Sequence, residues 1–154
     1  MDRIRQLAQK YGVKLAKRAA RKGYVFDGKT IALYDYNTVA RYDTHVIHDI
    51  AHYVVASRRR RKLPEFGLGS SPDITRFRGK LVVSPKFAQK EEALASALGI
   101  YWEREFGMDW KSTFEDHYWT EDIDIKTPEE EIFNLQKKHK FARGLQELRR
   151  RKII

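Results

Sequence analysis

The sequence contains no cysteine, which excludes disulfide bonds, thiolate zinc fingers, iron–sulfur clusters and a cysteine nucleophile. A cysteine-free chain is typical of the cytoplasm, and we expect a cytoplasmic protein. Its longest apolar runs are a few residues, far short of the roughly 18 needed to span a bilayer, so no membrane contact is expected. No apolar segment follows the charged start Met1-Asp2-Arg3, which argues against a secretory signal. Any metal site must therefore use histidine and carboxylate ligands.

What the sequence does contain is enough apolar material for a core and an excess of positive charge. Its 154 residues suit one domain, and 42% of them are hydrophobic, which predicts a folded chain. The formal net charge is +10, which favours a nucleic-acid partner or simply keeps the protein soluble. Two basic runs could contact phosphates, one from Arg58 to Lys62 and one from Arg149 to Lys152.

The spacing of apolar residues predicts one α+β domain over residues 1–154. A helix is expected over 1–22 with an interruption at Gly12, then a hairpin over 24–36 around Asp27-Gly28. Further helices are expected over 44–57, from Ser84 to about residue 106, and from Thr127 to about residue 143, with a short strand over 81–83. The core is expected over about 24–106, followed by a helical extension over 107–148 and a frayed basic tail over 149–154.

Three of the five histidines fall within eight residues of the second helix. His48 and His52 are separated by one turn and share a face, which is how a zinc-binding helix presents two imidazoles to one ion. Asp49 follows His48, where a carboxylate can take a proton from an attacking water. His45 could extend the site or cap the helix. Two partly buried, hydrogen-bonded histidines would give the same pattern without a metal.

A third ligand should come from another element that faces this helix. The helix after Ser84 carries Glu91 and Glu92 near its start. Glu92 shares a face with small residues that permit close helix packing, whereas Glu91 lies on a face of ordinary core residues. The sequence favours Glu92, although either carboxylate could instead interact with the positive end of the helix dipole.

The order of elements resembles the minimal gluzincin metallopeptidase core, and residues 91–98 resemble the second motif of ImmA/IrrE-type metallopeptidases. The resemblance covers about residues 24–106. The chain as a whole also resembles small phage-encoded proteins. It implies a zinc-dependent metallopeptidase that acts on a peptide or protein substrate, with Zn²⁺ bound by His48, His52 and Glu92. Asp49 then stands where the family has the glutamate of H-E-x-x-H. Because aspartate is one methylene shorter, the change puts the proton-transfer geometry in question.

Two other functions fit parts of the sequence. The segment Val46 to His52 also resembles the central motif of HD-type phosphohydrolases, in which the adjacent histidine and aspartate bind metal. That family needs a histidine on an upstream helix, and none precedes His45. The third possibility is a non-catalytic basic protein that binds nucleic acid or a host protein.

Three further features carry weaker predictions. The glycine-rich segment from Pro64 to Gly69 is expected to cover the core through Phe66 and Leu68, or to form a wall of the site. The aromatic stretch from Trp110 to Trp119 is also acidic, which favours packing or a protein contact over nucleic acid. His117 could form a second metal site with Asp116, an interpretation that we do not favour, and His139 is expected at the solvated surface.

Overall fold

The computed structural model describes residues 2–18, 24–34, 42–69, 80–116 and 130–154. The described chain is a mixed α+β fold that is mostly helical and contains a small two-stranded parallel sheet, and this confirms the predicted fold class. Its elements are α1 (Asp2–Lys10), β1 (Lys14–Ala16), β2 (Thr30–Ala32), α2 (Asp43–Val55), α3 (Pro85–Glu105), α4 (Trp110–Asp116) and α5 (Glu130–Arg150). Among the described residues, no helix combines the length and apolar character needed to cross a membrane.

Glycine ends two of these helices in the same way. Gly12 and Gly107 have φ values of 69° and 68°, which a residue without a Cβ adopts at little cost. After Gly12, the Val13 amide donates to the Ala8 carbonyl at 2.8 Å, and after Gly107 the Met108 amide donates to the Glu103 carbonyl at 2.9 Å. Both are Schellman endings, which satisfy carbonyls at a helix end.

The first predicted helix is therefore too long. The expected helix over 1–22 ends at Lys10, and the chain continues as β1. The apolar residues beyond Gly12 suggested a continued helix because Leu15 lies at helical spacing from Tyr11. Leu15 instead pairs with Ile31 across the parallel sheet.

The turn at Asp27-Gly28 forms as predicted, but the hairpin around it does not extend into two strands. The Asp27 Oδ1 accepts hydrogen bonds from the Lys29 and Thr30 amides at 2.9 and 2.8 Å, and Phe26 bridges Ile31 in antiparallel fashion. Gly28 has φ 92° and lies against the chain after α2, where a Cβ would sit 2.6 Å from the Lys62 carbonyl oxygen. β2 takes β1, rather than the segment before the turn, as its strand partner.

α3 is the central helix of the described fold. Ser84 caps it by accepting from the Phe87 amide at 3.2 Å, and Pro85 is its first residue, as the sequence predicts. α2 packs on one side of α3 and α5 on another. Fully buried side chains fill the core between these elements. They come from the turn before β2, from β2 itself and from α2, α3 and α5: Phe26, Ile31, Ile47, Ile50, Leu98, Ile100 and Leu148.

The C-terminal region is more ordered than the sequence suggests. α5 includes Arg149 and Arg150, and Ile153 and Ile154 pack against the core, so the expectation of a frayed tail from residue 149 is wrong. The aromatic segment contributes to packing, since Trp110 lies against the core and the Phe114 ring meets the Phe141 ring edge-on at 5.6 Å. The part of that segment beyond residue 116 lies outside the described residues.

The expected strand over 81–83 reduces to one bridge between Leu68 and Leu81.

Candidate metal centre

α2 brings its two central histidines to one point on its buried side. His48 and His52 are one turn apart, and their Nε2 atoms lie 3.0 Å from each other. The side chain of His52 is 7% exposed and that of His48 is 18% exposed. The approach of α3 is close at this level, since a Cβ built on Gly99 would lie 3.6 Å from the His48 Cα. A small residue on α3 therefore lets the second helix reach the histidine pair.

Glu92 on α3 completes a group of three side chains. Its Oε1 lies 3.0 Å from His48 Nε2 and its Oε2 lies 3.0 Å from His52 Nε2. Among the described residues, this is the group of histidine and carboxylate side chains whose atoms converge closely enough to hold a metal ion. The structure thus brings together the three residues that the sequence proposes as ligands. The carboxylate in this group belongs to Glu92 rather than to Glu91.

The donor set and its dimensions suit a metal ion. Two imidazole nitrogens and one carboxylate are ligands that zinc takes at catalytic sites, with a fourth position open. Bonds of about 2.0–2.1 Å in a tetrahedron separate the ligand atoms by about 3.3 Å, close to the 3.0 Å separations observed. If both nitrogens instead donated protons to Glu92, the short contact between them would gain no hydrogen bond. A bound cation would instead accept a lone pair from each of the three side chains, which accounts for all three short distances.

The electrostatics of the group also favour bound positive charge. Burial by itself raises the pKa of Glu92, but His52 and His48 outweigh it and hold the pKa of that carboxyl well below its usual range. For His52, burial acts in the opposite direction and by itself lowers the pKa. The Glu92 carboxylate outweighs this, so the pKa of the imidazole is raised. Protons and a metal ion therefore compete for the same site, and metal affinity should fall as the pH is lowered.

The neighbouring Glu91 faces a different part of the fold. It is buried and forms an ion pair with Arg60, whose side chain is 9% exposed. Arg60 also donates from Nη1 to the Phe66 carbonyl oxygen at 3.3 Å, and its guanidinium lies 5.2 Å from the centre of the Phe87 ring. The carboxylates of two consecutive residues thus bind different partners, Glu92 the histidines and Glu91 an arginine.

The segment between α2 and α3 forms one wall of the centre. Residues 60–67, which we call the 60–67 segment, contain the 3-10 turn Arg60–Lys62 and the tight turn Pro64–Gly67. The Phe66 ring lies nearly parallel to the His52 imidazole, with 5.5 Å between centroids, and stacks on Phe26 at 4.2 Å. Phe66 thereby contacts a candidate ligand, so the segment is a wall of the site as well as a cover for the core.

Two residues of this turn have an unusual backbone. Glu65 and Phe66 have φ values of 46° and 55°, in the left-handed region that costs a residue with a side chain about 1–2 kcal/mol. The Glu65 side chain fixes the turn by accepting from the Val25 and Phe26 amides at 2.8 and 3.3 Å. The Glu65 amide in turn donates to the Phe26 carbonyl at 2.9 Å. Strain of this kind persists where the surroundings hold it and is concentrated at functional sites.

Asp49 lies on α2 immediately after His48 and is 9% exposed. Its negative charge contributes to the raised pKa of His52, which places its charge in the electrostatic neighbourhood of the centre. The group of converging atoms consists of His48, His52 and Glu92 and does not include Asp49. His45 is exposed at the start of α2, next to the Tyr42 ring, and is not in that group.

The first basic run is partly consumed by the fold. Arg60 is committed to Glu91, and Arg61 donates to the Val54 and Ala56 carbonyls at 2.8 and 3.0 Å. Arg61 thus stabilises the carbonyl end of α2, where cations are favoured. In the second run, Arg150 and Arg151 form ion pairs with Glu147 at 2.7 Å. Arg60 and Arg61 are thus used within the fold, whereas Arg150 and Arg151 remain at the surface.

Arg60 and Glu103 are the residues of interest that the sequence did not single out. Arg60 was hidden in a run of similar cations, and only its burial distinguishes it. Glu103 is 1% exposed on the same face of α3 as Glu92, and burial raises the pKa of its carboxyl, although a Thr113 hydrogen bond and His48 oppose this. The helical spacing of 92, 96, 99 and 103 was the available signal for Glu103. Of the other histidines, His139 is exposed as expected, and His117 lies outside the described residues.

Comparisons of this chain with protein-family models, with curated proteins and with solved structures found no match.

Proposed function

We propose that this protein binds one zinc ion at His48, His52 and Glu92 and acts as a zinc-dependent metallopeptidase-like hydrolase. The observation that carries the proposal is the convergence of two imidazole nitrogens and a carboxylate at mutual distances of 3.0 Å. The resemblance of H-D-x-x-H and of residues 91–98 to gluzincin motifs supports the reaction class. The substrate would be a peptide or protein.

Each residue of the site has a defined role in this proposal. His48, His52 and Glu92 would hold the ion, the number of protein ligands that catalytic zinc sites use. Zinc supplies Lewis-acid activation of water and of the substrate carbonyl. Asp49 accepts the proton of the attacking water and delivers it to the leaving amine, a transfer that contributes typically about 10²–10⁴-fold to the rate.

The structure favours this function over the phosphohydrolase alternative through one observation. In the HD family the aspartate next to the histidine binds metal, whereas here the converging group takes its carboxylate from α3 and omits Asp49. The proposal therefore assigns Glu92 to the metal and Asp49 to proton transfer.

Substitution of Asp49 tests the assignment. Asp49→Asn should keep stoichiometric zinc, measured by atomic emission, and should lose hydrolysis of a broad peptide library. Asp49→Glu should preserve or raise hydrolysis because it restores the reach of the usual glutamate. His139→Ala, a surface histidine on α5, serves as the matched control and should change neither quantity.

Two results would contradict the proposal in different ways. Loss of zinc in Asp49→Asn would make Asp49 a ligand and favour the HD-type phosphohydrolase. Zinc binding by the wild type without cleavage of any library peptide would favour a structural zinc in a binding protein. In that case, salt-dependent binding of the wild type to DNA would point to a nucleic-acid partner.

A further inference from the structure

The ion pair between Arg60 and Glu91 connects α3 to the 60–67 segment, which forms one wall of the candidate metal centre. Glu91 precedes the candidate ligand Glu92 on α3, and Arg60 opens the 60–67 segment. Both side chains are buried, at 9% and 4% exposure. A buried ion pair is weak evidence for added stability, because the cost of removing both charges from water offsets their attraction. Its position beside the centre suggests another role.

Arg60 makes a second contact that leads to the other side of the centre. Its Nη1 donates to the Phe66 carbonyl oxygen, and the Phe66 ring lies against His52 with an interplanar angle of 16°. A continuous path of contacts therefore runs from Glu91 through Arg60 and Phe66 to His52. One end of the path adjoins Glu92 in the chain, and the other end touches a second candidate ligand.

The contact to Phe66 matters because the backbone there is strained. Glu65 and Phe66 both have positive φ, a conformation that persists only when surrounding contacts hold it. Hydrogen bonds to the chain around Phe26 hold the Glu65 side of the turn. The guanidinium holds the Phe66 carbonyl. The ring also stacks on Phe26, so loss of the hydrogen bond from Arg60 should relax the turn and shift the ring relative to the imidazole rather than release it.

We propose that Arg60 is a positioning residue for the metal centre, which fixes the Phe66 ring on His52 and so sets the affinity for zinc. This inference depends on the proposed zinc site and adds a residue that touches neither the ion nor the substrate. Residues that contact a metal ligand without contacting the metal typically change the metal affinity about 10–100-fold when they are substituted.

Charge and geometry predict opposite effects for the simplest variant, and this makes the test decisive. Removal of Arg60 alone leaves the negative charge of Glu91 near the ion, which by Coulomb attraction strengthens cation binding. Loss of the Phe66 anchor weakens binding. The double variant Arg60→Met/Glu91→Met removes one charge of each sign, so its net charge equals that of the wild type and only the geometric effect remains.

The experiment measures zinc affinity at 25 °C by competition with a chromophoric chelator, on variants whose circular dichroism shows that they are folded. We expect Arg60→Met/Glu91→Met to bind zinc about tenfold more weakly than the wild type. Arg59→Met, which alters an exposed arginine next to Arg60, should bind as the wild type does. Co²⁺ absorption spectra of the double variant should also shift, because a displaced imidazole changes the ligand field.

Wild-type zinc affinity and an unchanged Co²⁺ spectrum in the folded double variant would overturn the inference, even if the variant melts at a lower temperature. If the double variant does not fold, Phe66→Leu replaces it, since leucine keeps an apolar side chain there but cannot lie flat on the imidazole. Phe66→Leu should then show the weaker binding, and unchanged binding would overturn the inference. Failure of the wild type itself to bind zinc would instead remove the proposed function.

Discussion

Two faces of α3 pack against other helices, and they differ in what they bury. The face towards α2 carries Glu92, Ser96, Gly99 and Glu103, three of which have polar side chains. The face towards α5 carries Ala93 and Ala97, which lie against Gly144. Both faces have the small residues that allow helices to approach closely. A stripe of small residues therefore indicates close packing, and titratable groups within the stripe are needed to indicate a site.

Removal of the Glu92 carboxylate, on the face of α3 towards α2, should have the largest effect of the changes considered, and the effect is on zinc affinity. Glu92→Gln replaces a charged ligand with a neutral one and should weaken zinc binding by about tenfold or more, at least as much as loss of a supporting group would. Glu91→Gln is the matched control on the neighbouring residue and should have the smaller effect. Both are measured by chelator competition. A larger effect of Glu91→Gln would mean that the wrong carboxylate has been assigned to the ion.

The same substitution on each interface should change stability in opposite directions. A Cβ at Gly144 would lie 2.7 Å from the Ala97 Cβ, closer than side-chain atoms pack, whereas a Cβ at Gly99 meets its neighbours at 3.6 Å or more. Gly144→Ala should therefore lower the free energy of unfolding by about 1 kcal/mol or more. Gly99→Ala should raise it by about 0.5–1 kcal/mol, because alanine favours the helix. Urea denaturation measures both, and destabilisation by Gly99→Ala would mean that α2 and α3 are packed more tightly than described.

The smallest effect concerns Glu103, the other carboxyl on the α2 face. Burial raises its pKa, so the folded state binds its proton more strongly than the unfolded state does. The stabilisation that results is complete below the pKa of the unfolded chain and is lost as the pH rises through the folded pKa. Glu103→Gln, which stays neutral, should melt a few degrees above the wild type near pH 8 and show a smaller advantage near pH 4. An advantage that grows as the pH falls would contradict the assignment.

Local signals in the sequence were sufficient for the parts of the fold that depend on neighbouring residues. Ser84 and Pro85 mark the start of α3 and Gly107 marks its end, because caps act within one turn. The spacing of His48 and His52 places them on one face for the same reason. Glu92 could be selected because the small residues at its helical spacing indicate which side of α3 meets another helix.

The features that depend on distant contacts could not be read in this way. β1 pairs with a strand that follows it by some fifteen residues, and the apolar residues at helical spacing before it favoured a longer helix. The positive φ of Glu65 and Phe66 occurs in residues that seldom adopt it, and contacts with the chain around Phe26 impose it. Arg60 differs from its neighbours only through its burial against Glu91, which depends on how α2 and α3 are packed.

The zinc content of the purified protein tests the central claim most directly. After incubation with excess zinc and exhaustive dialysis at neutral pH, atomic emission should find one zinc per chain in the wild type and in His139→Ala. The same treatment should leave no stoichiometric zinc in His52→Ala. Full zinc retention by His52→Ala, or no zinc in a folded wild type, would contradict a metal centre formed by His48, His52 and Glu92.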